Sequence, residues 1–311
     1  MATSTQSAPG ASVLGVAKPR RGEQLIQVLL FAAAIVSVIT TVGIVISLFG
    51  ETLLFFREVG IIEYFTGTQW SPLFTPAEYG ILPLLNGTLL VSGIALIVAI
   101  PLGLGSAIYL SEYASSPVRR VIKPIIELLA GVPTIVFGYF ALTFFTPNVL
   151  RGVLGLQTDP FNALAAGIVT GFLVLPTIAT LAEDAMTAVP RALREGAYGL
   201  GAAKLQVSIR VVFPAALSGI VAAVVLGASR AIGETMIATV AAGLRPTLTL
   251  DPTSQVETMT AFIAATGKGD VPTESIGFKT IFAVGATLFV GTLLINTVAI
   301  RFVRRYRQVY E

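Results

Sequence analysis

Residues 195–214 read EGAYGLGAAKLQVSIRVVFP, and they lie between two long apolar runs that a few residues would suffice to join. The stretch instead supplies a short polar helix, a glycine turn and a second short helix. Pro190 can open the first helix, where a missing N–H costs nothing. Gly199 and Gly201 permit a sharp turn. Ala202 resumes a helix, and Pro214 delivers the chain to the next apolar run. Small residues at 196, 197, 199, 201, 202 and 203 leave room for another surface to approach closely. Two readings stand: a docking surface for something outside the membrane, or an amphipathic loop resting on lipid headgroups. Arg191, Arg194, Lys204 and Arg210 suit the second equally well.

That a membrane is involved follows from composition. The 311 residues are 54% hydrophobic and 12% charged, against about 25% charged for soluble domains. Mean hydropathy is +0.84. Cysteine and histidine are absent, which removes disulfides, thiol nucleophiles, imidazole bases and the usual transition-metal sites. The net charge of +3 is no nucleic-acid footprint.

Six apolar segments predict an all-α, six-span protein, at about 25–50, 82–110, 121–146, 161–182, 211–243 and 277–300, with a loop at 183–210. The run from Leu25 to Gly50 carries no charge and would be about 39 Å long as a helix. A signal peptide is the competing reading, but its apolar core would be only about 7–15 residues. Residues 1–22, ending in Lys18, Arg20 and Arg21, read as a disordered cytosolic tail. Pro101, Pro124 and Pro133 predict kinks or breaks in the second and third spans.

Of the 20 Lys and Arg residues, fourteen fall on one side of these spans and five on the other. The first set is the tail, Arg119, Arg120, Lys123, Arg191, Arg194, Lys204, Arg210 and the C-terminal Arg301, Arg304, Arg305 and Arg307. The second is Arg57, Arg151, Arg245, Lys268 and Lys279. The asymmetry predicts that both termini are cytosolic. On the opposite face, Trp70 in GTQWSP is expected as an aromatic anchor at the interface, with a docking surface as the alternative. Residues 244–276 are expected as a loop carrying one short helix near Thr258–Thr266.

Arg230 alone falls inside a span, with Glu234 four residues on. Ionisable groups at a span's centre cost about 2.5–3.5 kcal/mol each on insertion scales, and this spacing would place both on one helical face. They form either a structural ion pair or a cationic site on a permeation path with a carboxylate beside it. Arginine's planar fork fits an oxyanion. A neighbouring carboxylate would favour an anion that keeps a proton, as phosphate does near neutral pH and sulfate does not. Pro133 in GVPTIVFG is a candidate gate or a packing kink. No GxxxxGK[ST] loop occurs, and Gly199-Leu-Gly201 lacks a preceding strand. The chain is therefore not expected to bind ATP, and energy would come from a partner.

Glu195, Gly196, Ala197, Gly201, Val211, Phe213 and Pro214 resemble the signature of ABC importer permeases, with Gly196 in place of the usual alanine and Phe213 in place of leucine. RAIGETMIATVAAG, GTQWSP, YGILPLLNGTLL, GVPTIVFGYF and EDAMTAVPRALREGAYGLGA are similar to the phosphate-specific importer's permease, PstC type. The resemblance spans about residues 64–300. It implies the type I, MetI-like fold and a role as half of a phosphate pathway. The implied partners are a homologous permease (PstA-like), an ATPase dimer (PstB-like) holding ATP and Mg, and an extracytoplasmic phosphate-binding protein (PstS-like). It also implies that Glu195, Gly196, Ala197 and Gly201 couple to the ATPase, that Arg230 and Glu234 line the pathway, and that the membrane is bacterial or archaeal. Permeation of another oxyanion, such as sulfate, molybdate or phosphonate, and an ion-coupled secondary transporter are the alternatives.

Overall fold

A computed structural model of the chain describes residues 21–269 and 271–306. The tail predicted over 1–22 lies outside them except for its last two residues, where the first helix begins. The chain divides into two compact units, Met1–Ser47 and Leu48–Glu311. The first unit contains the greater part of helix α1 (Arg21–Glu58). Its most apolar window has no buried residue, and its apolar side chains lie all round the helix, which suits lipid on every side. Thr40 and Thr41 return their hydroxyls to the carbonyls of Val36 and Ser37 at 2.9 Å, so neither polar group is left unpaired there.

The second unit is helical throughout. It continues with α2 (Ile61–Thr66) and α3 (Leu82–Ile108), the latter ending in a π-helical turn over Tyr109–Tyr113. Next come α4 (Ser116–Ala130), α5 (Thr134–Phe140, extended by π turns to Val153) and α6 (Ala163–Thr187). The loop of interest forms α7 (Arg191–Gly199) and α8 (Lys204–Val207), which runs through a π turn into α9 (Phe213–Ala215). The chain closes with α10 (Leu217–Ile232), a π turn over Ala238–Ala242, α11 (Met259–Lys268) and α12 (Ile276–Tyr306). Among the described residues four helices are individually long and apolar enough to cross a membrane, or six where each of two bent pairs is one span.

Those pairs are where the structure departs from the predicted spans. The segment expected at 121–146 is two helices meeting at 86° over Gly131–Pro133, and the one expected at 211–243 bends by 72° at Ala216. Its second helix then stops at Ile232, short of the predicted end. In both, a proline removes a donor and sterically opposes a continuous helix.

The core is the pairing of α3 with α6, which small residues make possible. A Cβ on Gly167 would lie 2.6 Å from Ile94 Cβ, and one on Gly171 would lie 2.9 Å from the Ala95 carbonyl oxygen. Where α3 begins, α2, α11 and the 67–81 segment form a second cluster around Phe55, Tyr64, Ile81 and Phe262. Trp70 belongs to it. Expected as an interfacial anchor, it is 4% exposed, meets Phe262 edge-on at 5.0 Å and bridges to Tyr79. The 67–81 segment folds back because Gly67 and Gly80 touch backbone to backbone. A Cβ on Gly80 would sit 2.2 Å from the Gly67 carbonyl carbon.

Candidate functional site

Arg230 sits in the last turn of α10, packed on α6. Gly227, one turn earlier, lets the helices close: a Cβ there would lie 2.7 Å from Ile178 Cγ1. Arg230 Nη1 donates to Thr177 Oγ1 of α6 at 3.0 Å. Ser229 Oγ lies 2.7 Å from Asn296 Oδ1 of α12. Three helices thus converge on one short polar segment in an otherwise apolar bundle.

Glu234 is elsewhere than the spacing predicted. Because α10 ends at Ile232, the four-residue rule for a shared helical face does not apply. The amides of Met236 and Ile237 donate to Glu234 Oε1 at 3.0 and 3.2 Å, so the carboxylate caps the turn that follows the break. Its backbone oxygen accepts from Thr260 Oγ1 of α11 at 2.8 Å. Among the described residues the ion pairs found within 4.0 Å do not include Arg230 with Glu234. The structural ion pair weighed from the sequence is therefore not formed. What remains is a guanidinium with one neutral partner, next to a helix break whose first amides are already occupied. An arginine so placed has donors to spare for an anion.

Pro133, the candidate gate, is the N-cap of α5 at the 86° break. Beyond it α5 packs on the helical turn that follows Glu234: a Cβ on Gly138 would lie 3.2 Å from the Met236 carbonyl oxygen and 3.0 Å from Val240 Cβ. The break and Glu234 are thus joined through one close helix contact.

The second candidate region is at the far end of α3. α7 presents Glu195 and Gly196 outward, while Ala197 turns in against a cluster formed with Ala107, Met186 and Val212. Gly201 has φ +82°, which only glycine adopts without strain. Open space surrounds the Cβ positions of Gly196, Gly199 and Gly201. Between the last two, Leu200 is 90% exposed. Sequence reasoning passed over it, although a leucine between two glycines in a polar loop is a visible signal.

Arg194, one of the basic residues of the loop, anchors α7. Its guanidinium donates to the Met186 and Val189 carbonyls at 2.8 and 2.5 Å and to Glu112 Oε1 at 3.0 Å. The Glu112 side chain is 5% exposed. α7 is thereby tied to a last-turn carbonyl of α6, to the segment just beyond that helix and to the π turn that ends α3. Nearby, Glu183 of α6 is buried between Arg119 and Lys123 of α4, the latter at 2.5 Å. These three ion pairs join residues sixty or more positions apart, which no local pattern reveals.

A multi-pass helical membrane protein with a broken, arginine-bearing helix and a structured loop at one end is a permease in architecture. The fold is that of the type I, MetI-like ABC importer permeases. A permease structure from a bacterial ABC transporter for alginate import aligns over 93% of this chain and 98% of its own, with a TM-score of 0.65 at 17% identity. The methionine transporter MetNI aligns with a TM-score of 0.55 at 19% identity, over 74% of this chain and 95% of its own.

The chain belongs to the family of binding-protein-dependent transport system inner membrane components, whose model matches residues 99–308. It is 33% identical over 280 residues to the probable ABC transporter permease protein YqgH of Bacillus subtilis (strain 168), covering 89% of each chain. It is also 33% identical over 288 residues to the phosphate transport system permease protein PstC of Mesorhizobium japonicum, covering 86% of each. For PstC 1 of Mycobacterium tuberculosis the identity is 36% over 280 residues, covering 78% of this chain and 82% of that one.

Proposed function

We propose that this chain is the permease subunit of an ATP-driven importer of inorganic phosphate, in a bacterial or archaeal cell membrane with both termini cytosolic. The observation that carries this reading is its likeness, over 86% of both chains, to a phosphate transport system permease. A homologous permease supplies the other half of the pathway. An ATPase dimer binds ATP and Mg and performs the hydrolysis, and an extracytoplasmic binding protein delivers phosphate.

Arg230 supports the reading physically. Its guanidinium offers two parallel donors to an oxyanion, and its one hydrogen bond to a neutral hydroxyl leaves that capacity unspent. The site should bind weakly, since conduction needs release as well as entry. Glu234 keeps Oε2 for the P–OH of a partly protonated phosphate while Oε1 caps the helix. At the other end, closure of the ATPase pair pushes on Glu195–Gly201, where exposed glycines and Leu200 present a knob with open space around it.

Arg230→Ala in the reconstituted complex tests the reading. Phosphate uptake should fall at least about a hundredfold, the loss of one charge-assisted bidentate contact or more, while the subunits still co-purify. Wild-type uptake by this variant would remove Arg230 from the pathway. Transport of sulfate but not phosphate by the parent complex would overturn the substrate.

A further inference from the structure

Glu257 precedes α11 and is 6% exposed. Its backbone is wedged on α3, where a Cβ on Gly87 would lie 2.2 Å from the Glu257 carbonyl oxygen. Its carboxyl makes no ion pair and no side-chain hydrogen bond among the described residues. Burial alone pushes it up to about 7, so no neighbouring charge compensates it. It lines a cleft of about 230 Å³ walled by Trp70, Leu73, Phe74, Leu244 and Phe262, and it is the sole charged side chain among the described lining residues. Arg245 and Lys268 flank the lining in sequence, but both are exposed and neither pairs with it. Trp70, on the opposite wall, holds a buried Nε1 without a partner.

A buried acid without a counter-charge is costly to keep, and apolar walls leading to such an acid fit the stem and head of a long basic side chain. The aromatic wall adds a favourable face for a cation. We infer that this cleft receives a lysine or arginine side chain from the extracytoplasmic binding protein, with Glu257 as its counter-ion. The inference rests on the proposed function, which puts this end of the bundle on the outer face.

The cleft is wired to the pathway. Thr258 and Thr260, immediately after Glu257, hydrogen-bond each other at 3.0 Å, and Thr260 holds the Glu234 carbonyl. Met259 N donates to Thr88 Oγ1 of α3 at 3.0 Å. A cation docked on Glu257 therefore acts on the element that fixes the helix break beside Arg230. Because the bound cation needs the carboxylate, docking takes up no proton and releases one near neutral pH. It should strengthen as the pH rises through about 7.

The test uses the assembled complex in nanodiscs and its phosphate-loaded binding protein, with dissociation constants measured between pH 6 and pH 8.5. Wild type should bind about tenfold more tightly at the upper end. Glu257→Gln should lose about tenfold at high pH, as expected for one charge-assisted contact, and flatten the profile. Leu73→Trp, which fills the cleft from an exposed position, should weaken docking at every pH. A photo-crosslinker at Phe74 should capture a peptide containing the basic residue. Unaltered affinity and pH profile in Glu257→Gln, or capture of lipid or of a segment lacking Lys and Arg, would overturn the cleft's role. Phosphate uptake by the wild-type complex separates the two readings: its absence sinks the proposed function, and its presence with pH-independent docking sinks the cleft alone.

Discussion

Glu257 has a consequence for stability as well as for docking. An acid whose folded value is about 7 against an ordinary 4.5 favours folding in its protonated form. The unfolded chain releases the proton first, so stability is full at pH 4 and declines as pH rises from about 4.5 to 7, then levels. The loss amounts to about 3 kcal/mol. Glu257→Gln should remove that dependence and melt higher than wild type at pH 8, which thermal unfolding of the purified chain at three pH values checks. The sequence could not announce this residue, since nothing about an acid in a polar loop says it will be buried. Arg230 was legible because an isolated charge in an apolar run stands out by its cost. Its relation to Glu234 was not, because a helical repeat holds only while the helix does, and Gly233 follows the last turn of α10.

Among the elements, α7 shows how a loop is fastened to the bundle. The glycine turn and the two short helices were readable from proline and glycine placement. What the helix is fastened to was not, because Glu112 and Arg194 lie on segments far apart in sequence. Glu112 is nearly buried and Arg194 is 17% exposed, so removing the arginine strands a carboxylate. Arg194→Met should cost about 2–3 kcal/mol, between the values for exposed and fully buried pairs. In the double variant with Glu112→Gln about half of that should return, because the stranded charge is gone while the capped carbonyls of α6 stay bare. A double-mutant cycle of melting temperatures gives the coupling. Full additivity would mean the pair carries no load. On the proposed coupling role, importer complexes carrying the same variants should hydrolyse ATP without moving phosphate in proportion, since α7 would no longer pull on α3 and α6 together.

For the whole molecule, the decisive question is how many times the chain crosses, since a bent helix pair is either one broken span or a re-entrant loop. Among the described residues four helices are long and apolar enough to cross unaided. If the pairs around Pro133 and Ala216 return to the side they left, Leu200 and Leu250 share a side; if each crosses, they are opposite. The distribution of Lys and Arg favours crossing, because Arg191, Arg194, Lys204 and Arg210 precede the second break, against Arg245 and Lys268 in the loop after it. The chain has no cysteine, so single substitutions report cleanly. Leu200 is 90% exposed and Leu250 84%, and both lie in loops where a thiol is tolerated. In intact cells a membrane-impermeant maleimide should label Leu250→Cys at once. It should reach Leu200→Cys only after permeabilisation, and then less when the ATPase is present. Ser116→Cys and Val153→Cys pose the same question for α4 and α5, with Val153 outside. Labelling of Leu200→Cys and Leu250→Cys alike would make the second pair re-entrant. Arg230 would then lie in a loop dipping from one face, and a pathway through the full bundle could not pass by it.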